Sequence, residues 1–231
     1  MNDLKVQISI VGENSLIIYI SQAPDERTIQ KIALINRQLH EKLNKFIIDS
    51  IPSYISLLVT WDNLIIDYMN FKKKLVECLK NIAFENSPIK RDILKVPVYY
   101  SNVTGPDLEN LAHQKHISTK ELIEIHQNRE YLVYAIGFAP GFAYLGNVDE
   151  KIAAPRKSTP RLKIPAGSVG IADQQTAIYP NSSPGGWNII GRCPLELFKI
   201  GKDNNFRFSV ADRVRFFSID RNKYLSLGGK L

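Results

Sequence analysis

Positive charge is concentrated in the segment 151–165, KIAAPRKSTPRLKIP, which holds five cations and no acidic residue. Two prolines restrict the backbone beside Arg156 and Arg161, so these side chains project from stiff supports. An arginine fork matches the two oxygens of a carboxylate or phosphate, whereas lysine offers a point charge. The segment indicates either an anion-binding site or a basic surface loop, and the residues alone leave both open.

Glycines and aromatic residues alternate in the segment 137–146, GFAPGFAYLG. The glycines permit tight turns and the rings offer flat apolar walls, a combination that suits a rigid pocket lip with exposed amide donors. A structural turn with packed rings explains the pattern equally well. The segment lacks the Gly-Lys-Ser/Thr of a P-loop and does not fit the Gly-x-Gly-x-x-Gly dinucleotide pattern.

Two further segments offer polar and aromatic groups. Small residues in the segment 165–172 allow close backbone approach to a ligand, and Ser168, Gln175 and Tyr179 supply hydrogen-bonding groups. The segment 183–192, SPGGWNIIGR, delivers Trp187 from a tight turn. That ring either stacks on a ligand or fills a core, and the second is the commoner use of tryptophan.

Four histidines occur in the chain, and His126 is the best placed of them for acid–base chemistry. It closes a predicted helix just before the strand that leads into GFAPGF. A structural histidine with satisfied hydrogen bonds is the alternative. No spacing of His, Cys, Asp and Glu predicts a zinc site, and no Gly-x-Ser-x-Gly elbow predicts a serine hydrolase.

The elements that must position these groups differ between the two halves of the chain. Hydrophobic periodicity predicts strands at residues 6–10, 16–20, 46–50 and 54–60 and helices at 25–45 and 67–84. Further on, it predicts a strand at 95–100, short helices beginning near Pro106 and Ser118, and a strand at 131–136. Of the 13 glycines, 11 lie at or beyond Gly137. Helices tolerate few glycines, so the second half should be turn-rich, mainly β and close to a barrel.

Composition narrows the class of protein. The chain has 231 residues, 44% hydrophobic and 23% charged, which suits one large domain or two small ones. Its net charge is +7, of which +6 falls in residues 94–231. No sequence signature of a nucleic-acid-binding fold accompanies this charge. We expect neither nucleic acid nor a membrane as a partner. The two cysteines, Cys78 and Cys193, suit a reducing compartment, and we expect a cytoplasmic protein.

These segments, taken in order, resemble the KipI family, the allophanate hydrolase subunit 1 domain family that includes the B subunit of bacterial 5-oxoprolinase. The resemblance is tightest from His126 to Phe198, over YLVYAIGFAPGFAYLG and APRKSTPRLKIPAGSVGIADQQTAIYPNSSPGGWNIIGRCPLELF. The closing GDRVRF-like element of the family stands here as ADRVRF, with Ala211 where glycine is expected.

The resemblance implies an α+β N-terminal domain and a mainly β, cyclophilin-like barrel domain. Their boundary is expected in the polar stretch near residues 86–94, where the composition changes, which gives domains of residues 1–90 and 91–231. It implies the B subunit of an ATP-dependent 5-oxoprolinase, which cleaves 5-oxoproline to L-glutamate with a KipA-type C subunit and a LamB/YcsF-type A subunit. ATP would serve the complex, on a subunit that the sequence does not identify, and no metal site is expected here. A KipI-type inhibitor of a sensor histidine kinase, or a subunit of a urea- or allophanate-processing enzyme, remains an alternative.

On these positions the chemistry of the residues suggests roles around a small anionic substrate. We expect catalytic or orienting groups at His126, Gln175 and Tyr179. The expected anion- and substrate-binding residues are Arg156, Arg161, Lys163, Ser168, Gly141, Gly167 and Gly186. The expected pocket-lining rings are Phe138, Phe142 and Trp187.

Overall fold

The computed structural model of the chain describes residues 6–82, 92–198 and 208–231. The chain divides into two compact units, Met1–Lys90 and Arg91–Leu231. The elements of the first unit are β1 (Gln7–Ile10), β2 (Ser15–Tyr19), α1 (Glu26–Leu43), a 3-10 turn (Asn44–Phe46), β3 (Ile47–Ser53), β4 (Ser56–Trp61) and α2 (Tyr68–Lys80).

In the first unit an antiparallel sheet in the order β1-β2-β4-β3 packs with two amphipathic helices. Alternate residues of β2 and β4 enter the same core as the apolar stripes of the helices. Asp25 and Asp67 begin the helices, each accepting a hydrogen bond from a backbone N–H three residues on. The second helix ends at Lys80 rather than near Phe84, which lies outside the described residues, because the N–H of Asn81 turns back onto the last carbonyls.

The second unit consists mainly of strands. Its elements are β5 (Leu94–Val98), α3 (Leu108–Gln114), α4 (Thr119–Gln127), β6 (Glu130–Ile136), β7 (Ala143–Gly146), β8 (Arg161–Ile164), β9 (Ser168–Ala172), β10 (Gln175–Ile178), β11 (Ser183–Gly185), β12 (Asn188–Arg192), β13 (Arg213–Ser218) and α5 (Arg221–Ser226). The prediction of a mainly β second half with a few helices is confirmed.

The strands of the second unit form a path that returns to its beginning. Pairing runs β5-β13-β6-β7-β10-β9-β12, and the β5–β13 pair is parallel. Tyr99, directly after β5, then exchanges two backbone hydrogen bonds with Arg192 at the end of β12, at N···O distances of 2.9 and 3.0 Å. This exchange pairs the two ends of the path, and closure removes exposed strand edges. The short strands β8 and β11 form a separate ribbon.

Among the described residues, no helix combines the length and the apolar character needed to cross a lipid bilayer.

Ala211 explains why glycine is expected at this position of the ADRVRF element. Its φ is +72°, in the left-handed region, where a Cβ crowds the backbone. Its N–H donates to the carbonyl of Val133 at 3.0 Å, so the conformation is fixed by a bond to β6. The alanine therefore holds strain that a glycine would not.

We expect Ala211→Gly to stabilise the protein by roughly 0.5–1 kcal/mol, because relief of the Cβ clash outweighs the added freedom of the unfolded chain. Equilibrium urea unfolding measures the change. The matched control is Ala112→Gly in α3, where the same substitution should destabilise by about 1 kcal/mol or more. Equal destabilisation by both substitutions would contradict the strain at Ala211.

Candidate functional site

The cations of residues 151–165, called the basic segment from here on, have different surroundings in the structure. Lys151, Arg156 and Lys163 are exposed. Arg161 and Lys157 instead point to one buried carboxylate, that of Asp107 at the start of α3. The guanidinium of Arg161, which the sequence predicts to bind an anionic ligand, is thus already paired with a carboxylate of the protein itself.

Asp107 is 3% exposed, and its carboxylate accepts four hydrogen bonds. Arg161 binds it in a bidentate manner, with both N···O distances at 2.7 Å. Lys157 Nζ lies 2.9 Å from Oδ1, and the N–H of Ile189 in β12 donates to Oδ2 at 2.7 Å. Two carboxylate oxygens offer about four acceptor sites, so Asp107 is saturated. It links α3, the basic segment and β12.

Sequence reasoning gave Asp107 no functional role. Aspartate beside Gly105 and Pro106 marks a helix start, and Asp107 does stand at the N-cap position of α3, yet its side chain makes no capping hydrogen bond there. Burial raises the pKa of Asp107, but the hydrogen bonds from Arg161, Lys157 and Ile189 outweigh it, so the net pKa lies below its usual value of 3.8. The carboxylate therefore stabilises the fold above that pH, and the stabilisation is lost as acid protonates it.

The three predicted pocket rings do come together, with Tyr179 among them. Phe142 contacts Tyr179 and Trp187 edge-on, with ring centroids 5.3 and 5.7 Å apart. These three residues are almost fully buried and belong to one apolar cluster. Phe138 lies on the cluster at 5.2 Å from Phe142 and 6.5 Å from Tyr179, but it is 64% exposed and has a φ of +71°. An exposed ring held in the left-handed region is a feature more often found at functional sites than elsewhere.

Arg156 lies over this cluster, with its guanidinium carbon 5.9 Å from the ring centroid of Trp187. Burial raises the pKa of Tyr179 to about 12, although the charge of Arg156 and the backbone N–H of Trp187 act to lower it. The phenol therefore stays protonated at neutral pH. The cluster thus presents an exposed ring and an exposed guanidinium, while the neutral hydroxyl of Tyr179 stays buried beneath them.

The predicted glycines border the cluster in different ways. Gly141, with a φ of +82°, approaches the side chain of Phe198 so closely that a Cβ would lie 2.8 Å from its Cβ. The N–H of Gly167 donates to the carbonyl of Tyr179 at 2.7 Å, so this amide is not a free donor for a ligand. Gly186 precedes Trp187, and its carbonyl accepts the N–H of Lys157 at 2.7 Å.

Ser168, Lys163 and Gln175 occupy three further positions. Ser168 at the start of β9 is fully buried, and its hydroxyl has no hydrogen-bond partner in the described part of the chain. Lys163 projects from the β8–β11 ribbon. Gln175 begins β10 opposite Gly146 and is half-buried.

His126 is separated from the aromatic cluster by the sheet. It is fully buried, and both ring nitrogens have partners: Tyr100 Oη lies 2.8 Å from Nδ1 and Thr176 Oγ1 lies 3.0 Å from Nε2. Thr176 gives its own proton to the carbonyl of Gly170, so it must accept from Nε2–H. Nδ1 then accepts from Tyr100, and the imidazole is neutral.

This chain of hydrogen bonds ends on a backbone carbonyl within the protein. Because successive residues of a strand point to opposite faces, Thr176 carries His126 on one face of β10 while Ala177 and Tyr179 meet the aromatic cluster on the other. His126 also stacks on Phe216 at 4.6 Å. The acid–base role that we predicted for His126 therefore finds no support in its surroundings, which are those of a structural histidine.

Within residues 6–82, 92–198 and 208–231, no group of three or more His, Cys, Asp or Glu side chains is arranged to hold a metal ion. Cys78 and Cys193 are buried free thiols.

His126 should make stability depend on pH. Burial lowers its pKa from 6.5 to about 3, so between those values the unfolded chain binds a proton that the folded chain does not. Stability due to this group is complete above pH 6.5 and falls as the pH drops, by about 1.4 kcal/mol per unit at the steepest. Urea unfolding at pH 7.5, 6.5 and 5.5 measures the slope.

His126→Gln should flatten this slope by about one proton, whatever its effect on stability at pH 7.5. The control is Gln114→Ala, which removes an exposed, non-titrating side chain of α3 and should leave the slope as it is. Parallel slopes for the wild type and His126→Gln would contradict the neutral buried state.

Comparison with known proteins places this arrangement in a family. The family description "Carboxyltransferase domain, subdomain C and D" matches residues 6–208. The chain is 37% identical to the B subunit of 5-oxoprolinase from Bacillus subtilis (strain 168), covering 96% of both chains. It is 32% identical to the B subunit of 5-oxoprolinase from Escherichia coli O157:H7, covering 90% of this chain and 93% of that one.

A solved structure gives the same result for the fold. The crystal structure of TTHA0988 superposes with a TM-score of 0.80 at 29% identity. The match covers 89% of this chain and 40% of TTHA0988, which is much the longer protein. The resemblance seen in the ordered motifs is confirmed: the chain belongs to the family of the carboxyltransferase domain, subdomains C and D, which includes the B subunit of 5-oxoprolinase.

Proposed function

We propose that this chain is the B subunit of an ATP-dependent 5-oxoprolinase, acting on 5-oxoproline to give L-glutamate. The observation that carries the proposal is the 37% identity to a 5-oxoprolinase B subunit over 96% of both chains. A match of that extent includes both compact units. We further propose that the second unit is a cyclophilin-like barrel, which its returning strand path supports.

The reaction requires activation of an unstrained amide. Transfer of the γ-phosphoryl group of ATP to the lactam carbonyl oxygen releases ADP and makes the attached carbon electrophilic. Water then adds to that carbon, the C–N bond breaks as the nitrogen takes a proton, and a γ-glutamyl phosphate remains. A second water releases phosphate and leaves glutamate. Each step develops negative charge, which preorganised donors and cations stabilise.

We infer that the chain performs this reaction only with partners, because its relatives are named as one subunit of an enzyme. The partners that the family resemblance implies are a KipA-type C subunit and a LamB/YcsF-type A subunit, with ATP bound by the complex. For this chain we propose a substrate-binding part: Arg156 beside the exposed ring of Phe138, over the buried cluster of Tyr179 and Trp187.

Reconstitution tests the proposal. The chain mixed with the purified KipA-type and LamB/YcsF-type subunits, ATP and 5-oxoproline should release glutamate and ADP in equal amounts, measured by coupled enzymatic assays. Omission of the chain should abolish the release. Turnover by the other two subunits at the same rate without this chain would reject the assignment.

Arg156→Ala should reduce glutamate release at least tenfold, because it removes the exposed guanidinium from the aromatic cluster and leaves the ion pairs of Asp107 intact. The matched control is Arg221→Ala, which removes an exposed arginine of α5. Equal activity of the two variants would show that Arg156 is not part of the substrate-binding site. Thermal unfolding of both variants checks that each remains folded.

A further inference from the structure

The cations near the aromatic cluster are not equivalent as ligands for an anion. Arg161 uses both terminal nitrogens on Asp107, at 2.7 Å each, and Lys157 uses its ammonium at 2.9 Å. Their side chains are 28–30% exposed, whereas that of Asp107 is 4% exposed. Removal of such partners from a buried carboxylate is strongly destabilising, so these cations are not free to leave it. Of Arg156, Lys157 and Arg161, Arg156 is the one that does not bind Asp107; its guanidinium lies over the ring of Trp187.

The backbone on both sides of Arg156 is fixed to the turn and strand that carry Trp187. Asn188 Nδ2 donates to the carbonyl of Pro155 at 2.9 Å, and the N–H of Lys157 donates to the carbonyl of Gly186 at 2.7 Å. Arg156 lies between these two attachments. The backbone of Arg156 therefore has little freedom to lose when its guanidinium, which lies over the Trp187 ring, binds a ligand.

The aromatic side of this surface has matching properties. Phe138 is exposed, yet its ring is supported by contacts to Phe142 and Tyr179. The charge of Arg156 also acts to lower the pKa of Tyr179, against the effect of burial. One exposed, supported ring beside one guanidinium fits a small molecule with a compact flat ring and one carboxylate. A phosphoryl group carries close to two negative charges, about −1.5 to −2, over three acceptor oxygens, and one fork cannot supply donors to all of them.

We propose that the surface formed by the exposed side chains of Phe138 and Arg156, over the buried rings of Tyr179 and Trp187, binds a small cyclic monocarboxylate through Arg156, and that Asp107 is a positioning residue. Asp107 holds Lys157 and Arg161 away from the ligand, so the site accepts a carboxylate and rejects phosphate and nucleotide. The inference rests on the proposed function for the identity of the acid, 5-oxoproline. In that reaction the chain would hold the substrate by its carboxylate, and ATP would be bound elsewhere in the complex.

The chain contains two tryptophans, which makes the test direct. Trp61→Phe leaves Trp187 as the reporter, and the indole N–H of Trp61 has no hydrogen-bond partner among the described residues, so the substitution breaks no such bond. In this background 5-oxoproline should change Trp187 fluorescence saturably. The lactam without a carboxylate, 2-pyrrolidinone, should bind at least tenfold more weakly, as should inorganic phosphate and metal-free ATP.

Variants then separate the ligand-binding residue from the positioning residue. Arg156→Ala should weaken 5-oxoproline binding at least tenfold, with Arg221→Ala as the unchanged control. Asp107→Asn should release Lys157 and Arg161, raise the affinity for phosphate at least threefold and lower that for 5-oxoproline. A merely structural role of Asp107 would lower both affinities together. If Asp107→Asn does not fold, Lys157→Gln, which keeps the Arg161–Asp107 pair, should leave 5-oxoproline affinity within twofold.

Three results would overturn the inference: phosphate or ATP binding as tightly as 5-oxoproline, binding unaffected by Arg156→Ala, or loss of binding in Lys157→Gln. Cyclopentanecarboxylate separates this inference from the proposed function. If it and 5-oxoproline bind in an Arg156-dependent manner while the reconstituted complex releases no glutamate, the carboxylate site stands and the 5-oxoprolinase assignment fails. If glutamate is released but neither acid binds through Arg156, the assignment stands and the site is rejected.

Discussion

The carboxylate of Asp107 is the interaction around which the candidate site is organised. A charge at 3% exposure is stable only when its partners replace the water that it has lost, and here four donors do so. Those donors come from the basic segment and from β12, while Asp107 itself begins α3. One side chain thereby fixes the loop that carries Arg156 relative to the strand that follows Trp187. Gly105 supports the same arrangement, since its Cα packs against the backbone of Ile190 with no room for a Cβ.

The two faces of the strands of the second unit carry different groups of side chains. Successive residues of a strand point to opposite faces, which keeps these two groups apart. On one face of β10, Thr176 joins His126 and Tyr100 in a hydrogen-bonded chain with every proton assigned. On the other face, the aromatic cluster carries an exposed ring and an exposed guanidinium. A fully satisfied buried network specifies a single packing, whereas the exposed guanidinium has donors left for a ligand.

Much of the fold could be predicted from local pattern. The helix that begins after Asp25 and the strands around Ile18 and Val59 follow directly from apolar periodicity and capping. The glycine expected at Ala211 reflects a left-handed backbone, visible in the sequence only as a departure from the family pattern. The end of α2 was missed, because apolar spacing continues past Lys80 while the backbone already turns at Asn81.

By itself the sequence determined the mainly β second half, the family, and the segments that hold the candidate site. It supplied five cations between Lys151 and Lys163 but could not say which of them remain available to a ligand. That was decided by Asp107, which lies 54 residues before Arg161 and reaches it at 2.7 Å only in the folded chain. Coulomb energy depends on distance in space and on exclusion of water, and neither quantity can be obtained from spacing along a sequence.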